Sequence, residues 1–195
     1  MATVRKSLTW PLAPLLELGQ VDNALEDLLA HKRIILASNR GPVQYTLNKR
    51  GELTAQRGQG GLVSALTSLL RYAKVSWVAS SMSAGDREAA RLQDNSPQGC
   101  LLDDPLRLRL VNVAARTYRR HYQVFANPVL WLVQHSLADT LEDRPASLIW
   151  DAWRRGYLPV NRYMAGAILK ELSCSDTVPW VFLHDYQLYM VGHFI

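Results

Sequence analysis

Two charged side chains of this 195-residue chain follow apolar runs that are typical of buried parallel strands. Arg40 comes shortly after Ile34-Ile35-Leu36-Ala37, and Asp185 comes shortly after the run 178–183. Ligands of open parallel sheets bind at the carboxyl ends of the strands, so both side chains are candidates for a binding site. A guanidinium suits a phosphate or carboxylate, and a carboxylate accepts hydrogen bonds from sugar hydroxyls. On position alone the alternative stays open that Arg40 caps a loop and Asp185 caps the next helix.

A glycine-rich segment, Gly58-Gln59-Gly60-Gly61, stands directly before a helical pattern over 62–70. Glycines allow close backbone approach, and the first turn of a helix offers N–H groups, so the segment suits a phosphate or diphosphate. Its spacing matches neither the dinucleotide-binding fingerprint nor a P-loop. A tight turn without a ligand is the alternative interpretation.

Aromatic side chains are concentrated between positions 118 and 135, where the chain has Tyr118, His121, Tyr122, Phe125, Trp131 and His135. Aromatic clusters usually form core, because each ring buries a large area. Tyrosine and tryptophan faces also stack on sugars, however, so a sugar site is the second interpretation. The histidines, cysteines and carboxylates show neither metal-ligand spacing nor the local context of a catalytic triad, and we therefore expect no metal.

The order of apolar patterns predicts the architecture. Strands are expected at 34–37, 75–79, 106–113 and 178–183, with helices near 62–70, 86–92 and 150–172. Such alternation predicts an α/β fold, a doubly wound parallel sheet covered on both faces. The alternation of leucine with arginine in 106–113 predicts one solvent-facing side for that strand, and Pro128 predicts a break between two helical pieces within 114–137.

Composition narrows the class of protein. The chain has 48% hydrophobic and 20% charged residues with a net charge of +5, which is typical of a soluble globular protein. No apolar run is long enough for a membrane span, and no nucleic-acid-binding motif accompanies the basic charge, so we expect neither a membrane nor a nucleic-acid partner. Cys100 and Cys174 are far apart without CxxC spacing, which predicts no disulfide or zinc site and favours a cytoplasmic location.

Five segments of the chain occur in a distinctive order. They are Ser38-Asn39-Arg40-Gly41-Pro42-Val43, Gly60-Gly61-Leu62-Val63, Tyr122 with 125–131 and His135, Tyr157 with Val160-Asn161, and His184-Asp185-Tyr186-Gln187-Leu188. Together they resemble the trehalose-6-phosphate synthase family, which consists of retaining glycosyltransferases with the two-domain GT-B architecture. The resemblance covers 33–195 and implies the Rossmann-like, N-terminal, acceptor-side half of such an enzyme. For residues 1–32, the apolar pattern predicts an arm and a short helix.

The resemblance also implies a reaction and roles for residues. Glucose would move from UDP-, GDP- or ADP-glucose to glucose 6-phosphate, with retention and without a metal or other cofactor. Arg40 would contact the acceptor's phosphate, while Tyr122, Trp131 and Asp185 would surround its sugar, with Asp185 orienting it for catalysis. Gly60 and Gly61 would lie near the donor diphosphate.

Two departures from the family pattern leave the acceptor open. This chain has Gly58-Gln59 where the family usually has Ser-Ala, and Asp185-Tyr186-Gln187 where the family commonly has Asp-Tyr-His. Another phosphorylated polyol or a cyclitol as acceptor, or a non-catalytic sugar-phosphate sensor, are therefore alternatives. The family binds its donor largely with a second domain, so we expect these 195 residues to be inactive alone; the sequence leaves a homo-oligomer open.

Overall fold

The structure is a computed structural model that describes residues 28–29, 32–58, 61–67, 70, 72–94, 106–141, 144–174 and 178–195. The strands of this part are β1 (Arg33–Ser38), β2 (Val43–Leu47), β3 (Leu53–Arg57), β4 (Lys74–Ser80), β5 (Leu106–Val111) and β6 (Trp180–Leu183). The helices are α1 (Gly61–Thr67), α2 (Ala84–Asp94), α3 (115–134), α4 (146–173) and α5 (Val191–Phe194), with 3-10 turns at Ala138–Leu141 and Tyr186–Leu188. Most of the predicted arm, 1–27 with 30–31, lies outside the described residues, as do Gly60 and Cys100.

The main sheet has the strand order β5-β4-β1-β6 and is parallel throughout. The chain first builds β1, β4 and β5 in one direction, and then returns to the other edge of β1 with β6. This reversal creates a crevice between the carboxyl ends of β1 and β6, where open α/β sheets bind their ligands. The predicted α/β fold with a doubly wound parallel sheet is confirmed.

Both faces of the sheet are covered because its central strands are apolar on both sides. Ile34 and Leu36 of β1 belong to a core that also holds Trp77. Ile35 points to the other face, where it belongs to a cluster with Met164 of α4. The continuous apolar run of β1 is thus explained by burial on two sides rather than one.

Strands β2 and β3 form a separate antiparallel hairpin. Val43 and Tyr45 are buried while Gln44 and Thr46 are exposed, so only one face of the hairpin packs. It packs against α2, where a Cβ atom on Gly85 would collide with the carbonyl group of Tyr45. Glycine at position 85 is therefore what allows the hairpin and α2 to touch.

Helix α3 runs unbroken through Pro128, so the predicted break is wrong. Its middle, Arg120–Leu130, is π-helical, and the N–H of Trp131 donates to the carbonyl of Ala126, five residues back. In an α-helix the proline ring clashes with the carbonyl four residues earlier and removes a hydrogen bond. The wider i→i+5 winding accommodates the ring without interrupting the helix.

Helices α3 and α4 cross at an unusually short distance. A Cβ atom on Gly156 would lie 2.5 Å from the Cβ of Arg120 and 2.6 Å from the backbone nitrogen of His121. The segment Trp153–Tyr157 of α4 is also π-helical. Glycine at this crossing lets the two widened segments pack directly on each other.

Two predictions about strand surroundings are wrong. Arg107 and Arg109 of β5 do not form a solvent-facing side, since both point at Glu171 of α4, which is buried. Strand β6 is not buried on both faces, because Phe182 and Leu183 are exposed at the edge of the sheet. In the described part of the chain, no helix is both long and apolar enough to cross a membrane.

Candidate functional site

A cavity of about 320 Å³ opens at the carboxyl end of the sheet. It lies between the ends of β1 and β4, the hairpin and the start of α2, and it is lined by Arg40, Gly41, Val43, Gln44, Gly58, Ser80, Met82, Ser83, Asp86 and Leu110. Arg40 brings a positive charge to this cavity, and its side chain is exposed. Of the predicted site residues that the structure describes, Arg40 lines this cavity, whereas Tyr122, Trp131, Asp185 and Gly61 are not among its lining residues.

The backbone that carries Arg40 is held from both sides. The hydroxyl of Ser38 donates to the carbonyl of Arg40 at 2.5 Å, and the indole N–H of Trp77 donates to that hydroxyl at 2.8 Å. On the other side the N–H of Gly58 donates to the carbonyl of Pro42 at 2.7 Å. A Cβ on Gly58 would lie 2.6 Å from the carbonyl oxygen of Gly41, so this glycine provides close packing rather than loop freedom.

A buried carboxylate, Asp86, forms part of the cavity wall. It accepts hydrogen bonds from the backbone N–H groups of Tyr45, Met82 and Ser83 at 2.8, 3.1 and 2.9 Å. Burial, followed by the charge of Asp86, raises the pKa of Tyr45 to about 12. The carboxylate thus ties the hairpin, the end of β4 and the start of α2 together, which is a structural role.

Asp185 combines an exposed side chain with an unusual backbone conformation. Its φ of 77° and ψ of 162° fall in a region that is accessible essentially only to glycine. The carboxylate accepts a hydrogen bond from the N–H of Tyr186 at 2.8 Å, so Asp185 does cap the turn that follows β6. Strained non-glycine residues of this kind cluster at binding sites, so a cap and a ligand contact are compatible here.

Tyrosines connect the two strand ends. The ring of Tyr118 stacks on that of Tyr122 with centroids 5.8 Å apart, and its hydroxyl donates to Asn39 Oδ1 at 3.0 Å. Burial raises the pKa of Tyr118, although the hydrogen bond to Asn39 and the charge of Arg40 oppose the rise. One tyrosine therefore links α3 to the end of β1.

The predicted residue Tyr122 also lies close to the β6 side. Burial, the carboxylate of Asp185 and the hydroxyl of Tyr122 together raise the pKa of Tyr186. Asp185 and Tyr122 thus each lie near enough to the hydroxyl of Tyr186 to influence it. The structure thus brings Arg40, Tyr122 and Asp185 to the same end of the sheet.

Trp131 lies further along α3 and is partly exposed, at 39%. Its ring stacks on His135 with centroids 4.0 Å apart. Trp131 stands nine residues after Tyr122. In a regular α-helix each residue turns the helix by about 100°, so this separation would place Trp131 on the face opposite Tyr122. A π-helical turn contains about one residue more than an α-helical turn. Each such extra residue moves Trp131 by about 100° back toward the face that carries Tyr122.

Of the two predicted donor-site glycines the structure describes one. Gly61 is the first residue of the seven-residue α1, and a Cβ atom at this position would meet nothing within 4 Å. Packing within the described protein therefore does not require glycine at position 61. Gly60 lies outside the described residues.

Several polar residues for which no role was predicted support this end of the sheet. Tyr157 and Asn161 of α4 and Asn127 of α3 hydrogen-bond to the loop that follows β6. The signal for Asn161 is a polar residue among the apolar residues Val160, Met164 and Ala165 of α4, where it is fully buried. Gln187 is buried as well, at 5% exposure, so the change from the family's usual histidine affects the interior of the loop.

Metal-ligating side chains do not converge anywhere in the described ranges, where no group of three or more histidines, cysteines or acidic residues could hold a metal ion. Cys174 has an exposed free thiol at the end of α4, remote in sequence from the cavity-lining residues. The groups assembled at the carboxyl end of the sheet are a guanidinium, a carboxylate and phenol rings. Such a set recognises polar, phosphorylated ligands by hydrogen bonds and charge.

Comparison with known proteins finds relatives along most of this chain. An alpha,alpha-trehalose-phosphate synthase (UDP-forming) A of Dictyostelium discoideum is 28% identical over 178 residues, which are 89% of this chain and 22% of that protein. A trehalose-6-phosphate synthase of Mycolicibacterium smegmatis is 31% identical over 157 residues, 80% of this chain and 27% of the relative. The chain thus spans about a quarter of the length of these relatives.

Solved structures show the same fold. An alpha,alpha-trehalose-phosphate synthase (UDP-forming) from Burkholderia vietnamiensis superposes with a TM-score of 0.56 at 20% identity, over 83% of this chain and 30% of that one. A structure from E. coli described as bound with UDP-2-fluoro glucose has a TM-score of 0.58 at 23% identity, over 84% and 30% of the two chains. The model of glycosyltransferase family 20 matches residues 32–195. The chain therefore belongs to glycosyltransferase family 20.

Proposed function

We propose that this chain supplies the acceptor site of a retaining glucosyltransferase that moves glucose from a nucleotide sugar to glucose 6-phosphate and forms trehalose 6-phosphate. The single observation that carries the proposal is the pairing of exposed Arg40 and exposed, strained Asp185 at the carboxyl ends of neighbouring strands. A cation and a carboxylate so placed suit a ligand with a phosphate at one end and hydroxyls at the other.

Each site residue has a role in this proposal. The guanidinium of Arg40 binds the phosphate of glucose 6-phosphate, and Asp185 accepts hydrogen bonds from sugar hydroxyls and orients the acceptor. The rings of Tyr122 and Trp131 stack beside the sugar. Gly60 and Gly61 lie near the diphosphate of UDP-, GDP- or ADP-glucose.

The proposed reaction depends on positioning and on electrostatic stabilisation of the departing diphosphate. A phosphate oxygen of the donor helps to remove the proton from the attacking acceptor hydroxyl, and positive groups balance the negative charge that develops. The reaction needs no metal or organic cofactor, since the nucleotide sugar is a co-substrate. The chain matches only about a quarter of its relatives, and we propose that most of the donor-binding surface belongs to the part that it does not match.

Arg40→Ala tests the proposed phosphate contact. We expect glucose 6-phosphate to bind about 10- to 100-fold more weakly, because a charge-assisted hydrogen bond contributes roughly 1.5–3 kcal/mol. The affinity for unphosphorylated glucose should stay the same. NMR titration of the 195-residue chain measures both affinities.

The matched control is Arg50→Ala, which removes the same charge from the turn of the hairpin, where Arg50 is exposed. Titrations with glycerol 3-phosphate and a cyclitol phosphate, run in parallel, distinguish the other acceptor classes. Equal losses for glucose and glucose 6-phosphate would contradict the role of Arg40. Tighter binding of another phosphorylated polyol would replace glucose 6-phosphate as the acceptor.

A further inference from the structure

The loop that follows β6 holds Asp185 in a conformation that the residue would not adopt by itself. A φ of 77° with a ψ of 162° is strained backbone for a residue other than glycine. Such a conformation persists only where the surrounding structure determines it by several contacts. The side chains that contact this loop from α3 and α4 are therefore of interest.

Tyr157 makes two of these contacts. Its hydroxyl donates to the carbonyl of Tyr186 at 2.6 Å and accepts from the N–H of Tyr189 at 3.2 Å. Both partners are backbone groups, so the hydroxyl determines the path of the chain directly after Asp185. The hydroxyl is close to backbone atoms on both sides of the 3-10 turn Tyr186–Leu188 and holds that turn against α4.

Asn161, one helical turn further along α4, makes the next contacts. Its Nδ2 donates to the carbonyl of Gln187 at 3.1 Å, and its Oδ1 accepts from the N–H of Met190 at 3.1 Å. The side chain is fully buried, and a second hydrogen bond from Nδ2 to the carbonyl of Tyr157 fixes its orientation. A buried amide whose donors and acceptor are all used in this way is rigid.

Rings pack Tyr157 firmly in its place. His121 stacks on it with centroids 5.4 Å apart, Trp153 stacks at 5.2 Å, and Phe125 contacts it at 4.9 Å. The residue is 1% exposed, so the phenol has little freedom to move away from the loop. A rigid side chain can hold a strained loop, whereas a mobile one cannot.

We propose that Tyr157, assisted by Asn161, is a positioning residue that holds the strained loop at Asp185 in the conformation that binds the acceptor. The expected effect on acceptor binding rests on the proposed function. The expected effect on the loop does not depend on any ligand. Tyr157 itself touches the backbone of the loop and acts on the ligand through Asp185.

The test is Tyr157→Phe, which keeps the ring packing and removes only the hydroxyl. We expect hydrogen exchange of residues 184–190 to become about tenfold faster, because a lost hydrogen bond lowers the local opening free energy by roughly 1–1.5 kcal/mol. Glucose 6-phosphate should bind several-fold more weakly. Tyr163→Phe is the matched control, since Tyr163 lies on the same helix and is exposed; it should change neither quantity.

The double variant with Asp185→Ala separates positioning from general stability. If Tyr157 acts through Asp185, then Tyr157→Phe should reduce glucose 6-phosphate affinity less than twofold once Asp185 is alanine. The same several-fold loss in both backgrounds would overturn the proposal, and so would unchanged exchange of residues 184–190. If the unaltered chain bound no glucose 6-phosphate, the proposed function would fail, while the exchange measurement would still decide whether Tyr157 holds the loop.

Discussion

The two ends of the parallel sheet both carry arginines, but their surroundings differ. At the amino end, Arg33 and Arg109 donate to the carboxylate of Glu171 at 3.2 and 2.6 Å, and Arg107 approaches it to 3.8 Å. Glu171 has no exposed surface. At the carboxyl end, Arg40 is exposed beside a cavity, and the carboxylate of Asp185 is exposed as well.

The pKa of Glu171 reflects its surroundings. Burial raises the pKa, but hydrogen bonds from Arg109 and Ser76 and the charges of Arg109 and Arg107 outweigh burial and hold the pKa below its usual range. The ionised carboxylate is thus stabilised by partners already present in the fold. A buried charge cluster with internal partners therefore serves stability, whereas exposed charges beside a cavity are suited to a ligand.

The largest expected effect in this comparison is that of Glu171→Gln. Removing the buried carboxylate leaves neighbouring guanidiniums without its compensating charge, which should lower the free energy of unfolding by about 3–5 kcal/mol. Urea denaturation at pH 7 measures the change. The control is Glu88→Gln in α2, which should have little effect because Glu88 is partly exposed and pairs with Arg91 one turn away. A folded Glu171→Gln variant that lost glucose 6-phosphate affinity without losing stability would break the distinction between the two ends.

A smaller effect concerns His121, which lies below the tyrosines of the carboxyl end. Both of its ring nitrogens are buried and have no hydrogen-bond partner within the described residues, and burial lowers its pKa to about 4. The unfolded chain, with a pKa of about 6.5, therefore takes up a proton before the native state does. Stability contributed by neutral His121 is fully present above pH 6.5 and is lost as the pH falls toward 4.

When the pH is lowered from 7 to 5, the unfolding free energy of the wild type should therefore fall by about 2 kcal/mol more than that of His121→Phe. Urea denaturation of both proteins at the two pH values measures this difference, and all other titrating groups cancel in the subtraction. Equal pH dependence of the two proteins would show that the imidazole is hydrated or hydrogen-bonded in solution. In that case the carboxyl end of the sheet would be less tightly packed around His121 than the structure indicates.

The smallest effect tests whether strain at the carboxyl end serves binding. Asp185→Gly should raise the free energy of unfolding by about 1 kcal/mol, since glycine adopts a φ of 77° without strain and loses little as a cap. Glucose 6-phosphate affinity should fall at the same time. Ser136→Gly is the matched control: its φ is 58°, so it should gain similar stability and leave binding unchanged. Destabilisation by Asp185→Gly would mean that the carboxylate's hydrogen bond outweighs the strain.

Much of the fold could be predicted from the sequence because its strongest signals are local. The apolar runs of β1 and β4 need burial on both faces, and that need leads directly to a parallel sheet with helices on both sides. The same reasoning placed Arg40 and Asp185 at strand ends. The sheet's strand order, in which β6 returns to the free edge of β1, then brings both to the carboxyl ends of adjacent strands.

Other features depend on contacts between distant segments, and local patterns therefore do not reveal them. The β2–β3 hairpin has exposed polar residues on one face, and its packing depends on Gly85, which stands 40 residues after Tyr45 along the chain. The arginines of β5 look solvent-facing in sequence because their partner, Glu171, is supplied by α4. A residue's periodicity says which face it occupies, but not what covers that face.

Hydrophobic patterning alone predicts the α/β class, the central strands and which residues stand at the carboxyl end of the sheet. The π-helical winding of α3 through Pro128 and the positive φ of Asp185 arise only in the folded chain. Both conformations are unfavourable in an isolated segment. They form because packing at Gly156 and the hydrogen bonds of Tyr157 and Asn161 compensate their cost, and those partners come together only in the folded chain.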